Sequence, residues 1–236
     1  MNTTIIAATI PALLCTTTLA QQITPVIDNR NMNFEAQANT ELGSDQAQDF
    51  YYADSILINP FDPWAYSFGV SAQFQSANAN TNGTIDSVIT STSITASATT
   101  YAFAQVLDET GYDAFATTSS TMELGFTLDQ NSTWEIIANL AADIGSNARF
   151  TLSEGLSPGG NIVFTSTDAV INELILLTSG DYTLTISATA IAGVSSIDTF
   201  ESTASFDAQF NLVPAPSSIA PLGLALFLRR RRTPAR

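Results

Sequence analysis

Apolar and polar residues alternate one by one along much of the central chain. From Met122 to Leu128 every second residue is apolar, and the same period returns from Trp134 to Leu140. A period of two places the apolar set on one face of an extended strand, whereas a helix repeats about every 3.6 residues. The pattern therefore predicts β-strands that bury one face and expose the other.

Short polar turns between these runs predict hairpins. Asp129-Gln130-Asn131 separates the two runs above, so we expect them to pair as neighbouring antiparallel strands. Two further hairpins are predicted in the same way, one with the turn 157–160 between the runs 148–152 and 162–164, and one with the turn 178–181 between the runs 174–177 and 182–188.

Strands of this kind recur along the whole body of the chain, and the last runs from Ala204 to Leu212. Ile136 to Ile144 could form a short helix, but Trp134 favours the start of a strand. The fold class predicted is all-β, an antiparallel β-sandwich that is either jelly-roll-like or immunoglobulin-like. We assign the sandwich to residues 50–212 and an N-terminal extension or first strand region to residues 21–49.

The first 20 residues are predicted to be a signal peptide. Ile5 to Leu19 carries no charge, and Ala20 precedes Gln21 in a context that suits signal peptidase. We therefore expect export and cleavage between Ala20 and Gln21. Cys15 would leave with this segment, so the mature chain would have neither a disulfide nor a thiolate metal site.

Residues 213–236 form a separate segment with three parts. The residues 217–228 are apolar or uncharged, and as a helix these 12 residues would span roughly 18 Å of a hydrocarbon core roughly 30 Å thick. Basic clusters stay on the cytoplasmic side of a membrane, so the body would face outward from a short, transient or permanent anchoring helix. The flanking residues are Val213, Pro214, Ala215 and Pro216 before it, and Arg229, Arg230, Arg231 and Arg232 after it.

This three-part segment resembles the PEP-CTERM sorting signal of exported bacterial proteins. The resemblance rests on Val213 to Ser218, Pro221 to Leu226 and the arginine run, with Pro214-Ala215-Pro216 where the family usually has Pro-Glu-Pro. It implies recognition by an exosortase-like transpeptidase, removal of the tail, and delivery to the cell surface or an exopolysaccharide matrix. It covers about 24 of 236 residues and implies no activity for the body.

Charge and composition restrict what the body can do. Residues 21–213 have 22 acidic side chains against two basic ones, Arg30 and Arg149, a net charge of −20, and they lack Lys and His. Binding of nucleic acid requires cations that neutralise phosphates, so nucleic acid is excluded as a partner. Nucleophiles activated by His and His-based zinc sites are also excluded, and we predict a protein that is not an enzyme.

Carboxylates supply the chemistry that remains. A glycosidase needs two acids that face each other across a cleft, and Asp108, Glu109, Glu123 and Glu135 are candidates, although 22 acids give such pairs by chance. Asp108, Glu109 and Asp113 lie close together in one predicted loop, which makes them candidate calcium ligands. A solvated turn is the alternative, and no other cofactor is predicted.

Two further segments bear on ligand binding. Phe50 to Tyr52 and Phe61 to Tyr66 could stack on sugar rings if exposed, although such aromatic side chains more often belong to the core. Between Thr81 and Thr100, 11 of 20 residues are Ser or Thr, which favours solvent-facing strands, with glycan attachment as the alternative.

Two classes of function are compatible with these features. The first is an exported, non-enzymatic cell-surface or extracellular-matrix protein that is processed by signal peptidase and an exosortase-like transpeptidase and contacts the membrane through its C-terminal helix. The second is a carbohydrate-binding surface module, with or without calcium, whose partner is extracellular polysaccharide. Exposed aromatic residues in a row, or converging carboxylates, would favour the second class.

The acidic body predicts a specific response to salt. Because uncompensated charges repel one another, the melting temperature of residues 21–213 should rise with added NaCl. If Asp108, Glu109 and Asp113 bind calcium, millimolar CaCl₂ should raise it further than NaCl of matched ionic strength, because a ligand that binds only the native state stabilises it. Calorimetry checks this, and equal shifts in the two salts would exclude the calcium site.

Overall fold

The computed structural model describes residues 23–40, 43–52, 61–107, 112–157 and 159–214, with the backbone alone described for Thr40 and residues 47–52. Within these ranges all regular structure is β-strand. None of the described residues forms a helix of the length and hydrophobicity needed to cross a bilayer. The strands are β1 (Ile23–Thr40), β2 (Gly43–Tyr52), β3 (Trp64–Phe74), β4 (Ala77–Ile89), β5 (Ser93–Val106), β6 (Asp113–Leu128), β7 (Ser132–Ala142), β8 (Asn147–Glu154), β9 (Ile162–Ser166), β10 (Val170–Leu177), β11 (Gly180–Val194) and β12 (Asp198–Leu212).

These strands form two antiparallel sheets of six strands each, which pack face to face. Sheet A has the order β2-β1-β6-β11-β8-β9, and sheet B has the order β10-β7-β12-β5-β4-β3. The prediction of an all-β chain with antiparallel sheets is therefore confirmed. β1 lies between β2 and β6, so sheet A begins at Ile23 and includes the first strand region assigned to residues 21–49.

The core lies between the sheets and follows the predicted alternation. Every second residue from Met122 to Leu128 and from Trp134 to Leu140 is buried, and so are Ala204 to Phe210 at alternate positions. Ile23 and Leu212 lie at the same end of the sandwich, which we call the termini pole, because both bond to the β4–β5 turn at Ser91 and Thr92. The opposite end is the far pole.

Side-chain size in the core differs between the two poles. At the termini pole, Trp134 stacks on Phe210 at 4.6 Å, and Phe210 lies 6.0 Å from Phe126 of the other sheet. Toward the far pole the buried positions are mostly alanine, which lets the two sheets approach more closely. These alanines include Ala36, Ala38, Ala77, Ala79, Ala102, Ala104, Ala114, Ala116, Ala190 and Ala192.

Two of the three predicted hairpins are wrong. β6 and β7 flank the turn 129–131 but belong to different sheets, and so do β10 and β11 on either side of residues 178–179. Each turn carries the chain across the sandwich instead of back beside the same strand. The third prediction is confirmed, because β8 and β9 pair directly.

The Ser- and Thr-rich segment forms the β4–β5 hairpin in sheet B. Thr84, Ser97 and Thr99 are exposed on its outer face, as the prediction of solvent-facing strands requires. Thr81, Ser87 and Thr100 are exceptions, because all three point inward and are buried.

A buried ion pair on β1 includes an arginine that also contacts the other sheet near the termini pole. Arg30 is fully buried on β1, and its Nε and Nη2 atoms donate to the two Asp28 carboxylate oxygens at 2.8 and 2.5 Å. Its Nη1 atom donates across the core to Ser87 Oγ of β4 at 3.1 Å. The guanidinium carbon lies 5.8 Å from the ring centroid of Trp64 on β3. One side chain of sheet A therefore contacts two strands of sheet B.

We expect removal of one member of the Asp28–Arg30 pair to lower the free energy of unfolding far more than removal of both. Asp28→Ala would leave a buried, unpaired guanidinium and should lower the free energy of unfolding by about 3–5 kcal/mol. Asp28→Leu combined with Arg30→Met removes both charges and should lie within about 1 kcal/mol of the wild type. Urea titration followed by tryptophan fluorescence measures both, and equal destabilisation by the two variants would contradict this role.

Candidate functional site

The outer face of sheet B has a shallow groove across its central strands. Two adjoining depressions of ≈ 470 and ≈ 330 Å³ share Thr84 and Ser97. Outward side chains of β4, β5, β7 and β12 meet there because residues directly opposite each other on paired strands share a face. Polar side chains along the groove are Ser67, Thr84, Asp86, Ser97, Thr99, Asn139, Ser205 and Asp207.

Neutral hydrogen-bonding groups dominate this groove. Thr84 and Thr99 are joined through their hydroxyls at 2.7 Å, and Asn139 supplies an amide beside the Asp207 carboxylate on the next strand. The only charges among the groove residues are acidic. The surface therefore suits a neutral, hydroxyl-rich ligand or a cation, and it would repel an anion.

Two aromatic residues continue the same face toward the far pole. Tyr101 and Phe103 point outward from β5 and are half-buried. Tyr101 lies between Asn82 of β4 and Thr203 of β12, and Phe103 has Glu201 of β12 opposite. Aromatic rings flanked by amide, hydroxyl and carboxylate groups are suited to stacking on a sugar ring while bonding its hydroxyls.

Glu201 and burial together hold Tyr101 in its protonated form. Burial raises the pKa of Tyr101, and the Glu201 charge and a hydrogen bond to its carboxylate raise this pKa further. A raised pKa in the folded protein favours the neutral phenol, so this contribution to stability is present below pH 10 and is lost as the pH rises through the folded pKa.

The candidate calcium ligands are not assembled in the described part of the chain. Asp113 is exposed at the start of β6, while Asp108 and Glu109 lie outside the described residues. Among the residues that the structure describes, no group of three or more acidic or other ligating side chains is arranged to hold a metal ion.

Two of the candidate glycosidase acids lie on opposite sides of the sandwich. Glu123 points outward from β6 in sheet A, and Glu135 points outward from β7 in sheet B. Burial raises the pKa of Glu123. This pair therefore cannot face a common cleft as glycoside hydrolysis requires.

Two of the aromatic residues that were predicted to stack on sugar rings if exposed are instead directed at the core. Trp64 and Tyr66 stack with centroids 6.5 Å apart and pack against buried residues, while Phe61 is 40 % exposed. The side chains of Phe50, Tyr51 and Tyr52 lie outside the described ones.

Only the start of the predicted sorting motif is described. Val213 N donates to Thr133 O at 2.9 Å, and Pro214 is exposed directly after it. The predicted cleavage site at Ala20 and Gln21, the predicted helix 217–228, and the motif residues Ala215, Pro216, Arg229, Arg230, Arg231 and Arg232 all lie outside the described residues.

The Asp28–Arg30 pair was not predicted from the sequence, although a signal was present. Both residues share the parity of Met32 and Phe34 on β1, which are apolar and buried. Two charges of opposite sign in an inward-facing set indicate a buried pair. The pairing of Tyr101 with Glu201 had no such signal, because about a hundred residues separate them along the chain.

Comparison with known proteins adds no family assignment. No protein-family model matches this chain, and no curated protein matches it.

Proposed function

We propose that this chain is an exported, non-enzymatic protein of the cell surface or extracellular matrix, sorted by an exosortase-like system. In this proposal signal peptidase removes residues 1–20, and residues 213–236 direct the folded domain to the membrane. The sandwich is the part displayed outside.

The observation that carries this proposal is the position of Pro214. The last strand ends at Leu212, Val213 still bonds to β7, and Pro214 is already exposed. A processing enzyme would therefore meet the proline motif immediately outside a folded domain. Because β12 lies between β5 and β7, a tether at this point is attached to a central strand of sheet B and not to an edge strand.

A second candidate function is carbohydrate binding on the outer face of sheet B. The specific observation in its favour is the row formed by Tyr101 and Phe103 beside a groove of neutral hydrogen-bonding groups. The net charge of −20 disfavours acidic polysaccharides, so we infer a neutral glycan. We also infer a jelly-roll-like arrangement, because the chain crosses repeatedly between the two sheets.

Processing at both ends predicts the mass of the mature protein. Protein recovered from the surface of the source cells should begin at Gln21 and lack the arginine cluster, as measured by intact-mass spectrometry. Replacing Arg229 to Arg232 with Ser should abolish cell-surface retention, because the positive-inside preference is lost. The same four changes to Lys keep the charge and should retain the protein. Recovery of the tail through Arg236 would contradict cleavage.

Glycan binding is tested separately from sorting. Tyr101→Ala with Phe103→Ala should weaken binding to a neutral polysaccharide such as dextran or a β-glucan roughly tenfold, or about 1.4 kcal/mol. Affinity electrophoresis in polysaccharide gels measures it. The matched control is Phe115→Ala, which removes a 38 % exposed aromatic from sheet A and should have no effect. No retardation of the wild type by any neutral polysaccharide in the panel would reject this function.

A further inference from the structure

The free edge of β10 carries an exposed aliphatic row. β10 is the terminal strand of sheet B and pairs only with β7 among the described strands. Val170, Leu174 and Leu176 point outward from it and are 71 %, 64 % and 71 % exposed. Natural edge strands are normally protected by charge, proline or a covering segment, because an open apolar edge promotes aggregation. This edge has Glu173 as its only charge and no proline.

The backbone of the same residues is available for pairing. Leu140 N donates to Ala169 O at 3.0 Å, which fixes the phase of the β7–β10 ladder. Since hydrogen-bonded and non-bonded pairs alternate in an antiparallel ladder, the N–H and C=O groups of the even-numbered residues 170–176 point away from β7. The aliphatic row and the unpaired backbone groups therefore belong to the same residues.

The C-terminal segment begins within reach of this edge. Val213 bonds to Thr133 of β7, and Thr133 has Leu176 of β10 directly opposite on its other side. Two strand spacings separate Val213 from Leu176, and a third separates Leu176 from a strand docked beyond it, roughly 15 Å in all. Residues 214–218 can span roughly 17 Å when extended. Residues from 219 onward can therefore run antiparallel to β10, starting from its C-terminal end.

The tail sequence fits this edge in one register. Leu222, Leu224, Leu226 and Leu228 recur with a period of two, which would place all four beside the outward row. Pro221 then falls at a position whose N–H is not needed for the ladder. In this register Leu222 opposes Leu176, Leu224 opposes Leu174, Leu226 opposes Asn172, Leu228 opposes Val170, and Arg230 opposes Asp168.

Charge favours the same register. Residues 215–236 contain five of the chain's seven basic side chains and no acid, whereas the body carries −20. Asp168 is exposed just before β10 and would face Arg230 in this register. Its carboxylate has no cation among its bonded partners in the described structure.

We infer that, in water, the C-terminal segment docks on the free edge of β10, with Leu222 to Leu228 along the aliphatic row and Arg230 against Asp168. Docking keeps an apolar segment out of water whenever the tail and the folded body lie on the same side of the membrane, and it covers an edge that would otherwise promote aggregation. It goes beyond the proposed sorting function, because it requires no transpeptidase.

Disulfide trapping tests the register in residues 21–236, whose body has no cysteine of its own. Leu174→Cys with Leu224→Cys should form an intramolecular disulfide on mild oxidation, since directly opposed Cα atoms lie within bonding range. The matched control is Leu174→Cys with Ala225→Cys, which moves one thiol to the opposite face. Intact mass of the monomer fraction should show roughly tenfold more disulfide in the first pair.

Hydrogen exchange gives a second measurement if a cysteine variant fails to fold. In the wild-type chain 21–236, in detergent-free buffer, the amides of residues 170–176 with even numbers should exchange at least about tenfold more slowly than in the same chain with Leu222→Asp and Leu224→Asp. Equal trapping of the two cysteine pairs, disulfides formed between chains, or unprotected amides in the wild type would each overturn the docking.

Discussion

The space between the two inner faces is the constraint on which the rest of the structure depends. Each strand contributes every second side chain to this space, so the size of those side chains sets how closely the sheets approach. Gly83 shows how little room there is, because a Cβ atom at this position would lie 2.8 Å from Met32 Cε. Arg30 is accommodated toward the termini pole, where it reaches from β1 to Ser87 and lies over Trp64.

Individual strands could be predicted from the sequence, whereas their partners could not. Alternation between Met122 and Leu128 is a local property, and one buried face is enough to produce it. The turn 129–131 is equally suited to a hairpin and to a crossing between sheets, because both need a short polar connection. Which one forms depends on β11 and β12, which lie beside β6 and β7 and follow much later in the chain. The β8–β9 hairpin was predictable because its partners are adjacent in sequence and in space.

In the candidate site, too, local features could be predicted from the sequence, whereas features that depend on the pairing of distant strands could not. The solvent-facing character of Thr84 and Thr99 followed from composition, since β-branched hydroxyl residues suit an exposed pleated face. Their position beside Asn139 and Asp207 follows from registers that join distant segments. A groove on a sheet is built from such long-range pairs. The types of residue that line it could be predicted from the sequence, but which distant residues come together there could not.

The first strand begins and the last strand ends at one pole, at Ile23 and Leu212, and this has a mechanical consequence. β12 is held by β5 from Asp198 to Asn211 and by β7 from Ala204 to Leu212. A force that pulls on the C-terminal end of β12 while the far pole is held acts along the strand, so it loads both ladders in shear rather than opening one hydrogen bond at a time. The domain should therefore resist a pull along β12, and its weakest response would come from a sideways pull on an edge strand such as β9 or β10.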